Sequence, residues 1–150
     1  MNYSDKYYFH KNTVYRIAYS YMGNAADAED IMQNAFLILL QKEIDFESIE
    51  DEKRWLIRVT INLCLNEKKS FWRRNRSSLE DIYAYETGET DREVRDAIRR
   101  LNPKNMACIH LHYIEGYSVS EIAEILQISE SAVKMRLKRG RQQLKIELEN

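Results

Sequence analysis

Apolar positions recur along the chain at three- and four-residue steps, the spacing of an amphipathic helix rather than of a strand. Tyr7, Val14, Ile17, Ala18 and Tyr21 predict a first helix over about residues 4–22, closed by Gly23-Asn24. Asp27, Glu29 and Asp30 then crowd the start of a second helix, where carboxylates suit the positive end of the helix dipole. Ile31, Ala35, Ile38 and Leu39 form its apolar stripe, which runs to about Lys42. The charged segment 43–50 predicts a loop. A third helix follows from about Asp51 to Trp72, with Leu56, Val59, Leu63 and Cys64 inward and Arg54, Arg58, Asn62 and Lys69 outward.

The period is lost over residues 73–90, which are polar and contain Ser-Ser and Thr-Gly. A stretch of that length is long for a connection inside one compact domain and predicts a flexible linker. From Asp91 the pattern returns, predicting helices at 91–101, 104–115, 118–126 and 129–146. Pro103 suits a first helical turn with Asn102 as cap, Ser118 and Glu121 have the spacing of a capping box, and Ser129 is placed to cap the last helix. The expected fold is therefore all-α, with two small helical modules at 1–72 and 91–150 joined by 73–90. Modules this small bury only about 60% of their unfolded surface and lean on partners. A single helical domain with 73–90 as a surface loop is the other arrangement open at this point.

Composition narrows the class. The chain has 150 residues, 44% hydrophobic and 31% charged, with four Gly, one Pro and two Cys. That excludes a disulfide scaffold, a collagen-like chain and a disordered tail, and the scarcity of Gly and Pro speaks against an all-β fold. No apolar run reaches the length of a bilayer span. The first residues lack the layout of a secretory signal, and no further domain is expected at either end. Cys64 and Cys108 read as small buried hydrophobes in a reducing compartment, so the chain reads as cytoplasmic and without membrane insertion.

The net charge of −1 conceals blocks: −6 over residues 1–52, +7 over 53–76, −5 over 77–98, zero over 99–128 and +3 over 129–150. Two basic stretches predict two contacts with a polyanion, and the acidic first third predicts a different, basic partner.

The most specific constellation is VSEIAEILQISESAVKMRLKRGRQQL at 119–144. A short helix carrying Ile122, Ala123 and Leu126, a brief turn at Gln127-Ile128-Ser129 and a longer helix with Val133 and Leu137 inward make the layout of a DNA-binding helix-turn-helix. The turn places Gln127 where Gly is common. The second helix offers Lys134, Arg136, Lys138, Arg139 and Arg141 to phosphates and base edges. Tyr117, Ser118 and Ser120 bring hydroxyls to the entry of the first helix. In the first module, KRWLIRVTINLCLNEKKSFWRR (53–74) mixes cations with Trp55, Phe71 and Trp72, and Phe46 lies in the loop before it. Rings beside cations suit unpaired bases. For Trp55 a role as core anchor is the stronger reading.

Taken together, three segments resemble the sigma-70 family of bacterial transcription initiation factors, in its extracytoplasmic-function (ECF) class. VYRIAYSYMGNAADAEDIMQNAFLILL (14–40) is similar to region 2.1–2.2, KRWLIRVTINLCLNEKK (53–69) to region 2.3–2.4, and residues 101–144 to region 4. The resemblance implies that Asp27, Asp30, Gln33, Asn34 and Leu37 lie on the helix that docks on core RNA polymerase. Phe36 matches that helix too, with packing as its other reading. It implies that Phe46, Arg54, Trp55, Arg58, Asn62 and Lys69 open and read the minus-ten element, where a flipped base is captured. It implies that Ser131, Lys134, Met135 and Lys138, with Arg139, face the minus-thirty-five major groove, while Arg136 and Arg141 hold phosphates. The partners implied are core RNA polymerase, promoter DNA and an anti-sigma factor. Asn34 stands where the family usually has Glu, Ile61 where Arg is frequent, and Asn66 where Asp is frequent.

His10, His110 and His112 lack the companions of a metal site and read as surface or partly buried histidines. The five Met read as core filling. No catalytic site, metal or cofactor is expected. A stand-alone helix-turn-helix regulator is the alternative function.

Overall fold

A computed structural model describes residues 2–74 and 89–149, with side-chain surroundings for 2–67 and 92–145. The predicted linker 73–90 falls almost wholly outside these residues. Every regular element among them is helical, and they divide into two compact units, Met1–Asp81 and Ile82–Asn150.

The first unit holds α1 (Tyr3–Met22), α2 (Ala25–Lys42) and α3 (Ile49–Arg74). Gly23 ends α1 in a left-handed conformation (φ 79°) and its N–H bonds to the Tyr19 carbonyl. Asn24 belongs to the next element: its side chain accepts from the Asp27 N–H and caps α2. Ser48 accepts from the Asp51 N–H, so α3 starts two residues before the predicted Asp51. Val14, Ala35, Phe36, Leu39 and Leu56 form a core cluster on which Tyr7, Met32, Phe46 and Trp55 pack. Phe36 is buried, which decides its role as packing, whereas Ile38 of the predicted stripe is only half-buried. Ile57 and Ile61 of α3 are also buried, beyond the inward positions the periodicity marked.

A polar clamp joins α1 to α3. Glu52 is 3% exposed, yet its two carboxylate oxygens are both occupied. Lys6 Nζ lies 2.8 Å from one and His10 Nε2, donating, 2.8 Å from the other. His10 is 1% exposed, which corrects the expectation of a surface or partly buried histidine. Its Nδ1 is buried without a hydrogen-bond partner.

The second unit holds α4 (Glu89–Arg99), α5 (Pro103–Ile109), a π-helical turn (His110–Ile114), α6 (Val119–Leu126) and α7 (Glu130–Glu149). Asn102 caps α5, Ser118 and Glu121 complete a reciprocal capping box on α6, and Ser129 accepts from the Ala132 N–H at the start of α7. The expected single helix 104–115 is instead an α-helix that widens into the π turn. Two histidines fasten that turn. His110 Nε2 donates to Glu115 Oε2 at 3.0 Å, both side chains being buried. His112 Nδ1 lies 2.8 Å from the Tyr117 carbonyl, which only accepts, so Nδ1 carries the proton. α7 crosses α5 at Gly140, where an added Cβ would stand 2.6 Å from Ile109 Cγ1. Gln143 bonds the Arg100 carbonyl and the Asn102 N–H, tying α7 to the α4–α5 turn.

Candidate nucleic-acid interface

In α7, Val133 and Leu137 are buried one helical turn apart and Gly140 continues the buried side. The 3.6-residue period then sends Ser131, Lys134, Met135, Lys138, Arg139 and Arg141 to solvent, and all six are exposed. Met135 is 51% exposed, which removes it from the core-filling methionines, while Met22 and Met106 are buried. Arg136 differs from its neighbours. It is half-buried and close enough to the buried Cys108 thiol to act on it. Burial pushes that thiol up to about 11, with Arg136 acting in the opposite direction. Gln127 ends α6 in the left-handed region (φ 58°), so the turn is built without the usual Gly. Tyr117 is buried, correcting its assignment as a backbone contact, whereas Ser118 and Ser120 are exposed.

In the first unit, Arg54, Arg58 and Asn62 follow one another at four-residue steps on one side of α3, the first two half-buried and Asn62 exposed. Arg54 Nε reaches Glu50 Oε1 at 3.3 Å. Phe46 and Trp55 are half-buried with ring centroids 5.5 Å apart, so each ring packs the core while keeping an outer edge. The Lys69 side chain lies outside the described residues. On α2, Asp27 is partly committed to Asn24, while Asp30, Gln33, Asn34 and Leu37 are exposed. A cavity of about 240 Å³ between α2 and α3 is lined by Asp27, Asp30, Ile31, Gln33, Asn34 and Glu67. It brings four of the five residues assigned to polymerase together and leaves Leu37 aside. Glu67 was not foreseen, and neither were the exposed Leu40 and Ile44 that extend the Leu37 side. For Leu40 the three-residue step from Leu37 was the available signal; Ile44 lies past the end of α2.

The sequence profile of Sigma-70 region 2 matches residues 9–78, and that of Sigma-70 region 4 matches residues 91–144. The ECF RNA polymerase sigma factor SigM of Mycobacterium tuberculosis is 30% identical over 139 residues, covering 90% of this chain and 71% of SigM. The chain belongs to the sigma-70 family, in its ECF class. ECF sigma factor SigE of Mycolicibacterium smegmatis is 31% identical over 148 residues, covering 91% of the chain and 57% of SigE. BldN of Streptomyces coelicolor is 31% identical over 137 residues, and the match spans 52% of BldN. The chain thus spans little more than half the length of these two relatives.

Solved structures agree with the architecture. The sigma factor RpoE of Bartonella quintana, crystallised with the anti-sigma factor NepR, superposes with a TM-score of 0.77 at 18% identity, covering 97% of this chain and 96% of RpoE. CnrH, solved with the cytosolic domain of CnrY, gives 0.70 at 23% identity, covering 98% and 87%. In sigma-70 terms, α1 to α3 fall in region 2, and α4 to α7, with the helix-turn-helix at α6 and α7, fall in region 4. Both Cys are free and buried. Among the described residues no group of His, Cys, Asp and Glu is arranged to hold a metal, and no helix is long and apolar enough to cross a membrane.

Proposed function

We propose that this chain is a promoter-specificity subunit of bacterial RNA polymerase, without catalysis of its own, working in the cytoplasm. The observation that carries the reading is α7: its buried side is used up by Val133, Leu137 and Gly140, while four cations and Met135 stand in solvent on a helix of helix-turn-helix type. Lys134, Met135, Lys138 and Arg139 read the minus-thirty-five groove, Ser131 stands at the entry of that helix, and Arg141 holds phosphate. Arg136 steadies the helix from within, through Cys108, and reaches phosphate only by its outer edge.

Residues 1–72 dock on core polymerase and open the minus-ten element, residues 73–90 link the modules, and residues 91–150 anchor upstream DNA. The cavity with Asp27, Asp30, Gln33 and Asn34 takes a cationic side chain of the polymerase, and Leu37 supplies the adjoining apolar contact. Arg54, Arg58 and Asn62, with Lys69, hold the melted strand against Phe46 and Trp55. Two weak DNA contacts held by one polymerase act by effective concentration, so the free chain binds promoter duplex poorly. RpoE and CnrH were solved with NepR and CnrY, and an anti-sigma factor is proposed as the inhibitory partner here as well.

The test is to mix the purified chain with core RNA polymerase and fragmented genomic DNA from its host, and to sequence the run-off transcripts. New start sites sharing a two-part upstream motif are expected. Absence of new starts together with absence of a complex on core polymerase overturns the reading in favour of a stand-alone regulator.

A further inference from the structure

The first unit leaves two kinds of apolar surface in solvent, and they differ in chemistry. At the end of α2 the exposed apolar residues are aliphatic, Leu37, Leu40 and, just past the helix, Ile44, near a carboxylate-lined cavity. On α1 they are aromatic, and cations surround them. Tyr8 is 65% exposed and Phe9 56%, in a unit that buries Tyr21 and Phe36. The Lys11 ammonium stands 5.1 Å from the centre of the Tyr8 ring. Arg16 follows Phe9 by seven residues, two turns along the same side, with Asn12 between them. α1 carries Lys6, Lys11 and Arg16 against Asp5 alone, so it is basic within a first third that is acidic as a whole.

Its position matters as much as its composition. Lys6 and His10 hold Glu52, which lies two residues before Arg54. The Phe9 ring stands edge-on to the His10 ring at 5.0 Å. Phe9 therefore stands beside the seam where Lys6 and His10 join α1 to the first turns of α3. Carboxylates at this seam are already engaged, Glu52 by Lys6 and His10 and Glu50 by Arg54. Asp5, one turn before Phe9 on the same side of α1, is exposed, as is Asp51.

We propose that the outer side of α1, with Tyr8, Phe9, Lys11, Asn12 and Arg16, is a second stacking surface for single-stranded DNA, beside the one read on α3. Rings accept any base face, the cations hold the backbone, and the Asn12 amide offers a donor and an acceptor to base edges. A protein-facing patch would join these rings to aliphatic neighbours, as α2 does, whereas here they are separated by polar and charged side chains. The inference rests on the reading of α3 as a single-strand interface, and the experiment separates the two.

The full chain is titrated against a fluorescein-labelled oligothymidylate of about 16 nucleotides at low salt, with a duplex of equal length as control. Each aromatic-to-alanine change, Tyr8→Ala or Phe9→Ala, is expected to weaken single-strand binding about fivefold or more. Phe9→Leu, which keeps apolar area and loses the ring, is expected to weaken it similarly. Both rings are exposed, so unchanged thermal melting of these variants confirms that the fold is kept. Arg58→Ala with Asn62→Ala reports on α3 separately. Weaker binding by the α1 variants supports the inference whether or not the α3 variant also loses affinity. Weaker binding by the α3 variant alone overturns the inference and leaves the α3 reading standing. Full binding by Phe9→Leu, or no single-strand binding by the wild type, overturns the inference too, while the α3 reading is judged separately by the run-off assay with core polymerase.

Discussion

Glu52 is a buried polar residue whose removal harms the first unit. Its carboxylate is buried and answers two cation-capable groups, so Glu52→Ala strands Lys6 and His10 beside an apolar gap. Removing one partner of a buried pair costs about 3 kcal/mol. A urea midpoint lowered accordingly, with an unchanged slope, is the expected result. Cys108 makes a pH-dependent contribution of known sign. Its folded thiol is raised from the ordinary 9.0 to about 11, chiefly by burial. The folded state therefore keeps a proton that the unfolded chain gives up first. The contribution is whole below the unfolded value and is lost as pH rises through the folded one. Between about pH 8 and 11 the wild type should lose about 2 kcal/mol more than Cys108→Ala, read from denaturation midpoints across that window. The burial of Cys108 was legible in the sequence, but its partners and those of Glu52 were not. Periodicity tells which way a side chain points. It does not tell that Glu52 and His10, 42 residues apart, will meet, or that Arg136 will turn inward to a thiol on another helix.

At the scale of the elements, local signals carried much further. Asn102, the Ser118–Glu121 box, Ser129 and Gly23 all cap as their spacing predicts, because a cap needs only the few residues beside it. Ser118→Ala should lower stability by about 1 kcal/mol in thermal or urea unfolding. Gln127 shows the same locality from the other side: left-handed backbone is compatible with Gln, whereas Gln127→Val, β-branched, should cost more than about 1 kcal/mol. Where two helices meet, local signals fail. The π turn and the crossing at Gly140 depend on how α5 and α7 approach. Gly140→Ala drives a Cβ to 2.6 Å from Ile109 Cγ1 and should be strongly destabilising. Ile109→Ala in the same chain should recover part of that stability, as a double-mutant cycle would show. The exposed side of α2 was read from Asp27 to Leu37, and the exposed Leu40 and the Ile44 just past the helix were missed. Exposed aliphatic residues interrupt the polar face that an amphipathic pattern leads one to expect.

At the scale of the molecule, the order of motifs carried what no single helix could. Region 2 and region 4 profiles follow one another over residues 9–78 and 91–144, each on its own compact unit. If the units divide the work as proposed, their variants part company. Lys138→Ala with Arg139→Ala should abolish selective initiation in run-off assays while leaving association with core polymerase intact. The same pair should flatten the logarithmic salt dependence of DNA binding by about 0.9 for each phosphate that is no longer neutralised. Leu37→Ala should do the reverse, weakening association with core polymerase. The clamp on Glu52 bears on this division through angle. Each residue of a helix advances its side chains by about 100° around the axis. Arg54, Arg58 and Asn62 stand at fixed steps from Glu52, so Lys6 and His10 set the rotational phase of the whole α3 side. A register slip of one residue would carry those three side chains a quarter turn or more away, so the direction in which α3 presents them is set from the first turns of α1.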